Sequence, residues 1–192
     1  MICEDTAPVR CRWANPKNPA YLRYHDEEWG VACHDDRKLY EMLLLESFQA
    51  GLSWEIILNK REAFRAAFDG YDLNAVCTYD EARIDALMQN PAIVRNRRKL
   101  EAAVTNSRVF RAIREEFGTF DAFLWGFTDG KTLVETDPAV TTNALSDRVS
   151  RELKHRGMKF VGSTIIFSYL QAVGVIFSHS EDCFCFRRLP QP

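Results

Sequence analysis

Residues 44–55, LLESFQAGLSWE, place one carboxylate, Glu46, inside a strongly apolar run. The apolar spacing predicts an α-helix from about Arg37 to Ala50, because a rotation of about 100° per residue collects these side chains on one face. That face carries Leu39, Met42, Leu43 and Ala50, with Glu46 at its centre. If the face packs into the core, an unpaired charge there costs several kcal/mol. We therefore expect Glu46 to have either a structural partner or a ligand.

The same helical spacing recurs along the chain and predicts an all-α fold. The predicted helical segments are 35–50, 53–68, 79–90, 97–117, 119–127, 144–157 and 162–177. The second of these begins at a Ser that is suited to cap it. The segment 128–143 is rich in Thr and Asp and is expected to be an exposed linker. We predict a single globular domain over 1–192, organised as one unit or as two closely packed lobes.

Composition excludes several classes of protein. The net charge of −2 gives no overall basic field, so contact with nucleic acid would depend on local patches. No stretch approaches the roughly 20 apolar residues that span a bilayer. The first residues are acidic where a signal peptide would be basic and then apolar. We expect a cytoplasmic monomer that does not bind membranes.

A basic turn at about 88–100 is the first candidate functional feature. The stretch QNPAIVRNRRKLEAAV predicts two helices joined by a short turn that carries four cations, Arg95, Arg97, Arg98 and Lys99. Backbone amides at such a turn, together with these cations, can bind DNA phosphates without reading sequence. The alternative is an ordinary pair of helices with a solvated basic face.

Aromatic residues cluster in the sequence around the buried acid. They are Trp13, Tyr21, Tyr24 and Trp29 before it and Trp54 after it. Flat side chains stack on nucleobases, at about 1–3 kcal/mol for each base. Large aromatic side chains also simply fill cores, and this alternative stays open. With a carboxylate among them, they favour a pocket for a cationic or amine-rich planar ligand.

Cysteine and histidine residues near both ends of the chain suggest a metal site. Cys11 and His25 could combine with His179 and Cys183, whose i,i+4 spacing puts them on one face of a helical turn. Two Cys and two His suit tetrahedral zinc. Cys33, His34 and Cys185 are competing ligands that spacing alone does not exclude.

The segment RGMKFVGSTI, residues 156–165, is the fourth feature. Its two glycines bracket a basic and apolar loop that could line a pocket or contact a phosphate. Unaided, the sequence favours a plain turn between helices.

Five blocks of the sequence resemble the 3-methyladenine DNA glycosylase I family. They are CRW, YLRYHDEEWGV, LLESFQAGLSWEIILNKREAFRAAF, NPAIVRNRRKLEA and RGMKFVGSTIIFSYLQAVGVIFSH. The resemblance extends from about Cys11 to Cys183. It implies a fold like that of the helix-hairpin-helix glycosylases, with one structural Zn²⁺ per chain that ties the two ends together. The matching zinc ligands are Cys11, His25, His179 and Cys183.

The resemblance also implies roles for the pocket residues. The position of Glu46 hydrogen-bonds the excised base, and those of Tyr24 and Trp54 help to enclose it. Trp13 and Tyr21 match further pocket-lining aromatics. Leu52, beside Gly51, matches a residue that enters the duplex where the base has left. The implied substrate is alkylated double-stranded DNA, and the implied product is free 3-methyladenine.

Two departures from the family pattern bear on the chemistry. Relatives commonly have Gly where this chain has Ala92, and a requirement for positive φ there would strain the turn. No Lys or Asp follows the turn in the catalytic pattern of the wider superfamily, so we expect hydrolysis without lyase activity. Two other functions are considered: a non-catalytic reader of alkylated DNA, and a zinc-stabilised helical scaffold.

Overall fold

The structure is a computed structural model that describes residues 8–188. Within that range the chain is mostly helical, as predicted, and none of its helices is long and apolar enough to cross a bilayer. The α-helices are α1 (Pro19–Glu27), α2 (Asp36–Gln49), α3 (Trp54–Asn59), α4 (Arg61–Ala67), α5 (Leu73–Cys77), α6 (Glu81–Met88), α7 (Arg97–Phe117), α8 (Phe120–Trp125), α9 (Ala144–His155) and α10 (Ser163–Ala172). Short 3₁₀ helices span Asp69–Tyr71, Gly126–Thr128 and Phe184–Arg188. The outer parts of the predicted domain 1–192, with Cys3, lie outside the described residues.

Helix α2 is the centre of the fold. It packs against α3, α7, α8 and α10, and all ten of its residues from Leu39 to Phe48 are buried. Asp35 caps its N-terminus by accepting from the backbone N–H of Lys38. The predicted single apolar face was therefore too narrow a description. Neighbouring helices surround α2, so that its polar residues, Glu46 among them, are buried as well.

Two predicted helices are interrupted. The segment 53–68 forms α3 and α4, which break at Lys60, although Ser53 caps α3 as expected. The segment 162–177 stays helical only to Ala172. Gly174 then adopts φ +73°, and a Cβ at this position would lie 2.3 Å from the carbonyl carbon of Val31. After this close approach, β2 (Ile176–Phe177) pairs in parallel with β1 (Leu133–Val134). Strand β1 lies inside the predicted linker 128–143.

Helices α6 and α7 are joined by the turn 89–96, which we call the hairpin turn. Ile93 is buried and anchors this turn to the core. From outside, the ammonium of Lys60 donates to the carbonyl oxygens of Pro91 at 3.3 Å and Ala92 at 2.9 Å. Ala92 does not have a positive φ. The strain considered for Ala at this position is therefore absent.

Candidate active site and metal centre

A cavity of about 630 Å³ opens beside the C-terminal end of α2. Its volume lies within the range of small-molecule sites. Helices α1, α2 and α10 and the first residue of α3 contribute to its walls. The lining residues include Trp13, Tyr21, Tyr24, Trp29, Glu46, Gln49, Trp54, Phe167, Ser168 and Gln171. Glu46 and all four aromatic residues expected at a base site, Trp13, Tyr21, Tyr24 and Trp54, therefore meet at one cavity.

Glu46 has no partner among residues 8–188. Only 2% of the residue is exposed, and its Oε2 accepts no hydrogen bond from the protein. Burial raises the pKa of this carboxyl well above its ordinary value, because no nearby cation stabilises the ionised form. The structural-pair interpretation of Glu46 thus finds no partner in the described chain. A ligand that carries positive charge or N–H donors would supply one.

Two more polar atoms in the cavity wall lack partners within the described chain. They are Oε1 of Gln49 and Nε1 of Trp54. Buried polar groups are normally hydrogen-bonded, so these three atoms are groups of the cavity wall with which a bound molecule can pair. Two are acceptors and one is a donor. Gln49 was not predicted as a site residue, although its position one helical turn after Glu46 was the available signal.

The aromatic side chains enclose the carboxylate. The rings of Tyr24 and Trp54 lie 5.2 Å apart between centroids, and both side chains are buried. Burial, with the negative charge of Glu46, raises the pKa of Tyr24 well above its ordinary value, so the phenol keeps its proton. Trp13 is 36% exposed, and its ring lies 5.4 Å from Tyr21 and 4.7 Å from Trp29. It forms the open side of the aromatic box.

Cys11, His25, His179 and Cys183 form a buried cluster beside this cavity. Their ligand atoms all lie within 4.8 Å of one another. Three sulfur–nitrogen distances are 3.5, 3.5 and 3.6 Å. A tetrahedral ion with the usual Zn–S and Zn–N bond lengths has sulfur–nitrogen edges of about 3.5–3.6 Å. The four side chains are therefore placed to bind a metal ion of this size and geometry.

Neighbouring groups orient both imidazoles for metal binding. His25 uses Nδ1 to bond Asp26 at 2.8 Å, and Asp26 is held in turn by Arg10. His179 uses Nε2 to bond the carbonyl oxygen of Trp29 at 3.0 Å. Each ring thus directs its other nitrogen at the cluster, as metal-ligating histidines do. Burial lowers the pKa of His179 to about 4, which keeps the imidazole in its neutral, metal-binding form.

The competing ligands lie elsewhere or behind the cluster. His34 bonds Asp121 and stacks on Trp125, and Cys33 contacts the carbonyl of Asp35. Cys185 is close to His25 and Asp26, but it does not join the four-residue cluster. Its backbone N–H donates to the sulfur of Cys183 at 3.4 Å. Cys185 therefore supports a ligand rather than serving as one of the four.

Leu52 projects from a tight turn between α2 and α3. Its N–H donates to the carbonyl of Gln49 at 2.6 Å, with Ala50 at φ −45°, ψ 112° and Gly51 at φ +78°. These angles fit a type II β-turn, which needs Gly at its third position. Leu52 is 37% exposed, a high value for a large apolar side chain. We call residues 49–52 the Leu52 turn.

The four basic residues of the hairpin region have different environments. Arg95 and Arg98 are exposed, and neither forms an ion pair with the described residues. Arg97 pairs with Asp85, and Lys99 is buried. The ammonium of Lys99 faces the end of α2, so the prediction that Lys99 contacts DNA is inconsistent with its position.

The predicted linker 128–143 also contributes to the site. Thr136, Asp137, Pro138, Val140 and Thr141 line the same cavity as the aromatic residues. The expectation of a merely exposed connection was incomplete. Polar composition indicated a surface loop, but it carried no signal that the loop lines a cavity.

Comparisons with known proteins agree on one family. The profile of the methyladenine glycosylase family matches residues 13–186. DNA-3-methyladenine glycosylase 1 of Escherichia coli (strain K12) is 40% identical over 184 residues, covering 92% of this chain and 96% of that relative. The enzyme of Haemophilus influenzae (strain ATCC 51907 / DSM 11121 / KW20 / Rd) is 38% identical over 181 residues, covering 92% and 97%. A crystal structure of 3-methyladenine DNA glycosylase I superposes with a TM-score of 0.88 at 41% identity, covering 92% of this chain and 99% of that one.

A second solved structure concerns base recognition directly. The 3-methyladenine DNA glycosylase I of Staphylococcus aureus, determined to explain how it recognises 3-methyladenine, superposes with a TM-score of 0.88. It is 36% identical, and the match covers 95% of this chain and 97% of that one.

Proposed function

Because the chain belongs to the methyladenine glycosylase family, we propose that it is a monofunctional, monomeric DNA glycosylase that excises 3-methyladenine from alkylated duplex DNA. The observation that carries the proposal is the set of three unpartnered polar atoms in an aromatic cavity, on Glu46, Gln49 and Trp54. A methylated purine offers a flat surface for the rings and polar edges for these atoms. Relatives that match over nearly their full length carry the same activity in their names.

Glu46 provides the preference for an alkylated base in this proposal. Methylation at N3 gives the base a positive charge while it is joined to the sugar. The buried carboxyl has no cation of its own, so this charge stabilises its ionised form inside the cavity. Neutral adenine offers the exocyclic amine without the charge. The preference for the methylated base over adenine therefore comes from the attraction between its charge and the carboxylate of Glu46, as well as from stacking.

Excision breaks the bond between C1′ of the sugar and N9 of the base. The bonding electrons leave with the base, which becomes neutral 3-methyladenine, and water adds to C1′ and loses a proton. Because the methylated base is already a good leaving group, the task of the cavity is to hold it out of the stack and away from bulk water. Tyr24 and Trp54 enclose it, and Trp13 closes the open side.

Reaching the base requires the duplex to open. We place the Leu52 turn at the gap that the flipped base leaves, where an apolar side chain replaces lost stacking. Helix α6, the hairpin turn and α7 act as the helix-hairpin-helix element that binds backbone phosphates. Arg95 and Arg98, exposed and unpaired within the described chain, supply its charge.

We propose that the buried cluster binds one structural zinc ion. Cys11, His25, His179 and Cys183 would supply four ligands, so the ion would add folding energy and would keep no open position for substrate. Cys11 also lines the cavity. The metal thereby fixes the first cavity residues against the last ones.

The product is an abasic site with an intact strand. A lyase needs an amine nucleophile at the sugar, and the residues that line the cavity include no lysine. Arg12 is the basic residue among them, and a guanidinium does not form an imine under these conditions.

One assay tests the proposal. The protein is incubated with duplex DNA alkylated at N3 of adenine, and small molecules released are identified by mass. We expect free 3-methyladenine, with strand breaks only after later alkaline treatment. A protein that binds the alkylated duplex but releases no base is a reader, and one that binds neither duplex nor base is a scaffold. Either result contradicts the proposal.

A further inference from the structure

The backbone of Lys99 lies in the first turn of α7, and its side chain extends to the C-terminus of α2. Its ammonium donates to the carbonyl oxygen of Phe48 at 2.7 Å and to that of Ala50 at 2.5 Å. These carbonyls lie at the end of a helix, where the backbone lacks its own donors and a cation is favourable. The residue is 94% buried, being only 6% exposed. The buried ammonium therefore binds the carbonyl groups beside the Leu52 turn and is shielded from solvent.

The contact with Ala50 selects the shape of that turn. Types I and II of the β-turn differ in the direction of the central peptide, whose carbonyl belongs to the second residue. In the Leu52 turn the second residue is Ala50, and its carbonyl faces Lys99. Loss of the ammonium would leave this peptide free to reverse. Leu52 follows two residues later, so its direction depends on the same peptide.

The segment that contains Phe160 also encloses the ammonium of Lys99. The ring of Phe160 lies 5.9 Å from Nζ, and Phe160 adopts φ +56°, which is unfavourable for an aromatic residue. Asn106 of α7 holds the preceding residue by two bonds, donating to the carbonyl of Lys159 at 2.9 Å and accepting from its N–H at 2.8 Å. The 156–165 segment noted in the sequence is thus fixed to α7 beside Lys99.

We propose that Lys99 is a positioning residue that holds Leu52 in register with the hairpin turn during base flipping. This inference rests on the proposed function. Lys99 directly follows Arg98, so a single rigid turn of helix connects the phosphate-binding cation to the clamp on the Leu52 turn. The distance between the anchored backbone and the inserted side chain is then set before DNA arrives, and no binding energy is needed to order it.

A double-mutant cycle tests whether Lys99 acts through Leu52. We expect Lys99→Met to slow excision from duplex DNA about tenfold or more, the range of a lost charged hydrogen bond, and to leave binding of free 3-methyladenine unchanged. In a Leu52→Ala background the same change should have an effect of less than about twofold. Arg108→Met is the matched control, because Arg108 lies on the same helix and donates to the carbonyl of Cys77, far from the turn.

Equal effects of Lys99→Met in both backgrounds would overturn the proposal, as would no effect in either. If Lys99→Met does not fold, Gly51→Ala disturbs the same turn while keeping the charge. At φ +78° alanine is strained. Apart from the residue itself and its two chain neighbours, no heavy atom of residues 8–188 lies within 4 Å of its Cβ, so the strain stays local. We expect Gly51→Ala to show the same dependence on Leu52, and independence would count against the clamp.

A second measurement needs no activity. Amide hydrogen exchange at Leu52, whose N–H donates to Gln49, should accelerate in Lys99→Met and not in Arg108→Met. Unchanged exchange at Leu52 would overturn the clamp even in an active enzyme. If the unsubstituted protein releases no base but the exchange result holds, the proposed function fails and the clamp stands.

Discussion

Glu46 and Gln49 lie one helical turn apart on α2, and each directs an unpartnered side-chain oxygen to the same cavity. Residues three apart on a helix face the same side, so the two acceptors form a short row. Nε1 of Trp54 is a fully buried donor in the cavity wall without a partner within residues 8–188. The row accepts hydrogen bonds on one side of a ligand, and the indole donates on another.

Removing the charge of Glu46 should weaken base binding. In Glu46→Gln the volume is kept, but the exocyclic amine of the base no longer donates to a carboxylate, a hydrogen bond of about 1.5–3 kcal/mol when the acceptor is charged. We expect affinity for free 3-methyladenine to fall about tenfold or more, as measured by titration calorimetry, while affinity for undamaged duplex stays the same. Unchanged base binding would contradict the role given to Glu46.

The same substitution should stabilise the free protein at neutral pH. The pKa of Glu46 is raised in the folded state, so between the unfolded value of about 4.3 and the folded value the native protein holds the extra proton. Rising pH across this window lowers the free energy of unfolding, by about 1.4 kcal/mol per pH unit while the group titrates only in the unfolded chain. Glu46→Gln has no titrating group at this position, so its free energy of unfolding does not fall with pH in this way.

Thermal melting at a series of pH values checks this prediction. The melting temperature of Glu46→Gln should exceed that of the unsubstituted protein at pH 7, and the gap should narrow as pH falls toward 4. A variant that melts lower at pH 7 would indicate a structural partner for Glu46.

Gln49→Leu should separate binding from stability in the same way. The change removes an oxygen without a partner in the described chain, so we expect thermal stability to be kept. Base binding should weaken about fivefold, the size of one neutral hydrogen bond of about 1 kcal/mol. Parallel melting and calorimetry test both parts. Base affinity equal to that of the unsubstituted protein would remove Gln49 from the site.

The metal cluster predicts one zinc per chain. Cys11→Ser should lose most of the metal and melt at a lower temperature, because bound metal adds its binding energy to folding. Cys33→Ser is the matched control, since the thiol of Cys33 donates to the carbonyl of Asp35 and lies outside the cluster. Elemental analysis of protein purified without chelator measures the metal. Full zinc content in Cys11→Ser would place the ligands elsewhere.

The hairpin turn should supply affinity that does not depend on DNA sequence. Joint substitution of Arg95 and Arg98 by Gln should weaken binding to every duplex and lower the slope of log K against log salt by about two. Arg97→Gln should change the slope less, because its guanidinium is paired with Asp85. Binding isotherms at several salt concentrations give the slopes. Equal losses in the two proteins would show that pairing with Asp85 does not keep Arg97 from phosphate.

Local signals predicted much of the fold. Periodic apolar residues gave the boundaries of α7 and the position of α2, and Ser53 capped α3 as expected. These features depend on neighbours within a few residues along the chain. The break at Gly174 was missed because its cause is the backbone of Val31, which is far away in sequence.

The site residues that the sequence did not predict correctly also depend on contacts between distant parts of the chain. Glu46 could be recognised because its own helix is apolar on both sides. Lys99 was misassigned because charge spacing resembles an exposed face, whereas its burial depends on where α2 ends, fifty residues earlier. No local pattern reports that two distant chain segments meet.

The distance in sequence between the two halves of the metal cluster sets when the base cavity can exist during synthesis. Cys11 and His179 are separated by 168 positions, which a ribosome covers in about 10–30 s. Throughout that time the thiol of Cys11 has emerged without the partners that fix it, and the neighbouring Trp13 is equally unsecured. During synthesis the cavity therefore lacks the part of its wall that Ser178, Ser180 and Asp182 supply. It can be completed only after this last part of its lining has been made, next to His179 and Cys183 of the metal cluster.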